Sequence, residues 1–152
     1  MTVYTSPQYQ EPMPTTSEAG DEMVFRAYWS PASNTRLLSG DIVRLAQLPA
    51  GYAITDIVLD TAACGTSAAG KVGILDSVSA PTAVSSAVIA TGSLATAAVK
   101  RTDTVGATGY AINANDQGIG VEITTSADSG QAIAANAKMS AVIRYRPKQK
   151  VE

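Results

Sequence analysis

Asp56, Asp60 and Asp76 are the carboxylates whose placement could serve acid–base chemistry. Asp56 and Asp60 stand four residues apart in Tyr52-Ala53-Ile54-Thr55-Asp56-Ile57-Val58-Leu59-Asp60, a β-branched run. On a strand that spacing puts them on one face about 13 Å apart, too far to share a reacting bond or a water. They read as outward polar positions and strand-end residues. Asn113, Asn115 and Asp116 ahead of Gly118 carry some ligands of a calcium loop. The alternating carboxylates and the distal bidentate glutamate are missing, and Asn and Asp before Gly are ordinary turn formers. Cys64 is the one cysteine, and there is no histidine to activate it. It reads as a buried thiol, with a bridge between subunits as the alternative. A His-based triad, a His metal site, a disulfide framework within the chain and a zinc cluster are excluded by the same two counts. Gly65 to Gly70 lacks the lysine–serine ending of a phosphate loop. No catalytic site, cofactor or metal is therefore expected.

At the other end of the chain, Arg144, Arg146, Lys148 and Lys150 gather around Tyr145 against a single Glu152. This patch is either a solvated tail or a contact for an acidic protein surface, the acidic N-terminal segment of a neighbour included. Nucleic acid comes third: the chain carries a net charge of −2 and has no second basic stripe. Only 16% of residues are charged and 5% aromatic, and alanine dominates the 45% that are hydrophobic. No apolar run reaches the eighteen or so residues of a membrane span, and no charged start leads into an apolar leader. The 152 residues suffice for one domain with a modest core.

The elements that would position these residues follow from periodicity. Residues 1–21 hold Pro7, Pro12 and Pro14 with Tyr4 and Tyr9, and their charges are all acidic. Proline fixes φ and lacks a ladder donor, so this segment is expected to be an extended arm rather than helix or sheet. It is either a loose tail or an arm that orders on a partner through its tyrosines. From residue 22 the period is two: Met23, Phe25, Ala27 and Trp29 alternate with Glu22, Val24, Arg26 and Tyr28. Residues 42–60 predict a hairpin whose turn, Leu48-Pro49-Ala50-Gly51, would be type I with Pro second and Gly fourth. Loop chemistry follows over 61–70, then a strand over 71–76. Val84 and Val88 have helical spacing in an Ala-rich stretch and allow a short helix near 82–90. A polar connection covers 100–109 and a strand Tyr110–Ile112. Ile119, Val121 and Ile123 form a strand, residues 126–130 turn, and Lys138–Arg146 form a last strand stopped by Pro147. About eight short strands over residues 22–147, with a basic tail at 148–152, make an all-β sandwich or barrel the expected class. The small side chains of the connections leave a lone domain little to bury, so stability is expected to depend partly on oligomerisation.

One stretch carries a family resemblance. Gly40-Asp41-Ile42-Val43 leads into Leu45 and Leu48-Pro49-Ala50-Gly51, then Ile54–Asp60, a small-residue loop and Val72-Gly73-Ile74-Leu75-Asp76. This is similar to small structural proteins of tailed bacteriophages encoded among head genes, several of them capsid decoration, or cement, proteins. Tyr52 departs from the pattern, which expects a smaller residue. The resemblance implies a jelly-roll-like β-sandwich that assembles as a homotrimer on the capsid exterior of the virion after synthesis in the host cytoplasm. Its partner would be the major capsid protein, whose neighbouring subunits it would clamp; membrane and small-molecule substrate have no part. On that reading Tyr4, Pro7 and Tyr9 of the arm lie along the capsid or a neighbouring protomer. Phe25, Tyr28 and Trp29 fill the core or the trimer seam, and Arg144, Arg146, Lys148 and Lys150 meet acidic capsid surface. Two other functions stay open: a tail, neck or fibre-base component, and a carbohydrate-binding β-sandwich, for which one Trp and few aromatics equip the chain poorly.

Overall fold

Among the described residues, nine strands form where apolar side chains alternate or run together. The computed structural model describes residues 1–15, 22–65, 67–102, 115–126 and 137–147. The strands are β1 (Val3–Thr5), β2 (Met23–Trp29), β3 (Ile42–Leu48), β4 (Tyr52–Thr61), β5 (Ala69–Leu75), β6 (Val84–Ser93), β7 (Ala98–Arg101), β8 (Gln117–Thr125) and β9 (Met139–Pro147). A 3-10 turn, Pro7–Gln10, is the one helical element among the described residues. The strands make a four-stranded sheet, β2-β9-β4-β7, and a five-stranded sheet, β1-β3-β8-β5-β6. Without β1, the two orders are those of a jelly roll: the chain changes sheet at every step from β2 to β9 except within the β5–β6 hairpin. The expected all-β, jelly-roll-like sandwich is what the chain adopts.

The period of two decides what faces inward. β2 runs antiparallel to β9 with Met23 opposite Tyr145, Phe25 opposite Ile143, Ala27 opposite Ala141 and Trp29 opposite Met139. All eight project into or against the core, together with Ile57 and Leu59 of β4, Val43 and Leu45 of β3, and Ile119, Val121 and Ile123 of β8. Each fully buried Ile, Leu or Val contributes about 1.5–3 kcal/mol, so this layer between the sheets is the main stabilising element. A bulge in β4 between Ile54 and Asp56 restores the inward set after Thr55.

Five local expectations give way. Residues 42–60 are not a hairpin: β3 pairs with β8 and β1, whereas β4 pairs with β9 and β7, so Pro49–Gly51 is a corner between sheets. A tight turn is needed in either case, and turn chemistry alone does not separate the two. Within the corner Pro49 takes the first position, since the Tyr52 N–H donates to the Pro49 carbonyl at 3.3 Å. Gly51 is third with φ +81°, a type II requirement rather than type I. The Asp116 carboxylate accepts the Ala50 N–H at 3.0 Å and so holds this corner.

Val84–Ser93 is a strand, not a short helix near 82–90. A spacing of four suits one face of a regular helix or strand, but here β5 supplies the ladder, and register shifts along it put Val84 and Val88 in separate apolar clusters. Ala98–Arg101, inside a stretch read partly as connection, is edge strand β7. Residues 1–15 follow an extended path, yet Val3–Thr5 pairs in parallel with β3 and so belongs to a sheet. The strand expected at Tyr110–Ile112, most of the 126–130 turn, and Asn113, Lys148 and Lys150 lie outside the described residues.

Candidate interaction surfaces

The N-terminal segment is held by the domain itself. Val3, Tyr4 and Thr5 stand opposite Ile42, Val43 and Arg44. Asp41, buried at the head of β3, accepts the Thr2 N–H at 2.7 Å on Oδ1 and the Leu38 N–H at 2.9 Å on Oδ2. One carboxylate thus ties β1 to the turn before β3. The Tyr4 ring lies 5.4 Å from Trp29, and its hydroxyl donates to the Arg36 carbonyl at 2.8 Å. Burial, with the Asp41 charge beside it, pushes the Tyr4 hydroxyl above its ordinary pKa.

Pro7 opens the 3-10 turn and is exposed, while Tyr9 within that turn is only 2% exposed. The Tyr9 hydroxyl donates to the Val78 carbonyl at 2.7 Å, and the Arg44 guanidinium sits 4.7 Å over its ring. Burial raises its pKa, against the opposing pull of Arg44. Gly118 makes room for it: a Cβ there would stand 2.9 Å from the Tyr9 hydroxyl. Further along, Met13 is buried, and Tyr145 of β9 donates its hydroxyl to the Pro14 carbonyl at 2.6 Å. The tyrosines read as partner anchors therefore anchor the segment to its own domain. Of the aromatic group on β2, Trp29 is buried, Phe25 packs half-buried on the core, and Tyr28 is 53% exposed.

The outward side of the four-stranded sheet is the other surface. Register places Val24, Arg144 and Asp56 in one row across β2, β9 and β4. The next row is Arg26, Val142, Val58 and Arg101 across all four strands, and the third is Tyr28, Ser140, Asp60 and Val99. Val24, Tyr28 and Val99 are three of the five large hydrophobic residues exposed among the described ones. Arg144 pairs with Glu22 at 3.2 Å. Glu22 also accepts the Thr55 hydroxyl at 2.8 Å; that bond first, and Arg144 next, hold its carboxyl below the usual carboxylate pKa. Arg26, Arg101 and Arg146 form no ion pair among the described residues. Of the site residues expected from sequence, Tyr28, Arg144 and Arg146 thus share this side of the molecule, and Tyr4 and Tyr9 do not. The sequence reading passed over Val24, Arg26, Val58, Val99, Arg101 and Val142. The available signal was valine at positions whose alternation assigns them outward.

Of the groups singled out from sequence, the Asp76 carboxylate and the Cys64 thiol are occupied within the fold. Among the described residues no three His, Cys, Asp or Glu side chains cluster as metal ligands. Asp76 accepts the Thr82 hydroxyl and the Thr82 and Ala83 N–H groups, which hold it below the usual carboxylate pKa and close its loop. Cys64 is fully buried, and burial pushes its thiol up to about 11. A thiol so placed is neither a nucleophile at neutral pH nor accessible for a bridge between subunits. Folded protein is expected to resist an aromatic disulfide reagent at pH 8 and to release one equivalent of chromophore on denaturation; rapid reaction of the folded state would contradict this burial.

No protein-family model matches the chain, and no curated protein matches it at a significant level. Solved structures do. A chain in the capsid of Ralstonia phage GP4 superposes with a TM-score of 0.77 at 18% identity, covering 97% of this chain and 99% of that one. A chain of the cyanophage Pam1 capsid asymmetric unit gives a TM-score of 0.54 at 15% identity over 91% and 94%. At such identities the likeness is one of fold, and it spans nearly the whole length of each chain.

Proposed function

We propose that this chain is a structural, non-enzymatic protein of a phage virion that binds the outer surface of the assembled capsid. There it stabilises the shell by clamping neighbouring major capsid subunits. The observation that carries this reading is the end-to-end correspondence in fold with a chain of the Ralstonia phage GP4 capsid. The chemistry agrees with it. A cement protein needs a rigid scaffold and surfaces that fit several neighbours; the twin-sheet core supplies the first and the outward rows of the four-stranded sheet offer the second. Affinity for the assembled shell alone would stabilise that shell by mass action, and assembly as a homotrimer would multiply weak contacts into firm attachment.

The test is cosedimentation of purified protein with capsid shells assembled without it, alongside its solution mass. Saturable binding in a fixed ratio to the major capsid subunit, by a trimeric species, is expected. A monomer that stays in the supernatant, or a complete virion whose outer coat lacks the chain, overturns the reading.

A further inference from the structure

The geometry points to the outer face of the four-stranded sheet as the docking surface. Its occupant would be a repeated protein surface with an apolar centre flanked by two carboxylates about 14 Å apart. This rests on the shell-binding reading above. The central row sets the requirement: Val142 and Val58 lie side by side on the inner strands, and Arg26 and Arg101 stand at its two ends on the edge strands. Three strand spacings separate those arginines, hence the distance between the carboxylates they would meet. In the next row Tyr28 and Val99, both more than half exposed, stand on the edge strands beside Arg26 and Arg101, with Ser140 and Asp60 between them. Exposed tyrosine and arginine side chains around apolar ones are frequent makings of a contact hot spot. Among the described residues, the cations without an ion pair on this side, Arg26, Arg101 and Arg146, outnumber the carboxylates without one, Asp56 and Asp60, since Glu22 is taken by Arg144.

A second copy of the chain fits this face badly. A two-fold axis along the strands would lay Arg26 on Arg101. One across the strands through the central row would set each arginine on its own counterpart and Asp56 on Asp60. Size argues the same way. Four strands by about five residues span roughly 300 Å² in projection, a small footprint for a stable pairwise interface, which buries ~800 Å² of accessible surface per partner. Such a patch holds only when many copies engage one lattice together, as on a shell.

The experiment compares the full chain with Arg26→Glu/Arg101→Glu and, separately, with Tyr28→Asp/Val99→Asp. All four positions are exposed, so the fold is expected to persist, which thermal melting checks; Thr91→Glu on exposed β6 is the control. In cosedimentation with undecorated shells, each double variant is expected to lose at least tenfold in apparent affinity while the control matches the native chain. Wild-type binding with both double variants unchanged overturns the docking face and leaves the shell-binding reading intact. Wild-type protein that ignores shells overturns both. Variants that lower a concentration-dependent dimer mass while shell binding holds show a second copy on this face and likewise overturn the inference.

Discussion

Gly73→Val is expected to abolish cooperative folding. A Cβ at Gly73 would stand 2.1 Å from the Ser86 carbonyl oxygen and 2.8 Å from the Ala87 Cα, both backbone atoms of the partner strand. No rotamer relieves a clash with backbone, so β5 and β6 would have to part where their register already shifts between Val72 and Gly73. The cost exceeds about 4 kcal/mol, at the extreme of single substitutions, and approaches the 5–15 kcal/mol that a whole domain has in hand. Alanine at the same site suffers the same contact. Gly92, near the other end of β6, is the contrast: its nearest neighbour to an added Cβ is 3.8 Å away, so Gly92→Ala should melt close to the native chain. Thermal unfolding followed by circular dichroism reads both, and a native-like melt for Gly73→Ala would show that the two strands do not approach this closely.

Asp41→Ala should free the N-terminal strand. Its two oxygens accept the N–H groups of Thr2 and Leu38, and the carboxylate is 1% exposed. Charged acceptors contribute about 1.5–3 kcal/mol per hydrogen bond, and a stranded buried donor adds to the loss, so a net cost of about 3 kcal/mol is expected. For a domain of this size that lowers Tm by roughly 10 °C. Release of β1 should also expose the first residues to protease before the sandwich unfolds, since β1 is short and pairs on one side only. Limited proteolysis with mass spectrometry separates that local release from general destabilisation. An N-terminus as resistant as the native one would assign its retention to the β1–β3 ladder with Tyr4 and Tyr9 rather than to Asp41.

The fold class was legible because alternation over β2, β8 and β9 is long and regular. Met23, Phe25, Ala27 and Trp29 needed no neighbour to declare their face. The corner at Pro49–Gly51 was not legible, because the same residues turn a chain within one sheet or across two, and the distant strand β9 makes the choice. β6 was hidden by a spacing that serves helix and strand alike. The least legible feature was Tyr9. Proline-rich surroundings argue for an open arm, whereas the opposing evidence is spread over Arg44, Val78 and Gly118, which come together only in the fold. The outward surface was half legible: Tyr28, Arg144 and Arg146 were read from local pattern, but joining them to Val99 and Arg101 requires the strand order.

The glycines of β8 have an effect beyond their own strand. Because Gly118 and Gly120 present no side chains, Leu75 and Tyr9 lie against bare backbone on the outside of the five-stranded sheet. Ile42, Leu75 and Val84, with Val3 beside them, make a small second core there. Among the described residues, one broad flank of the sandwich is thereby filled in by its own side chains while the other presents exposed valine, tyrosine and arginine, so the two flanks differ in chemistry. Under the proposed shell-binding role, that difference would give copies on a curved surface a preferred way up.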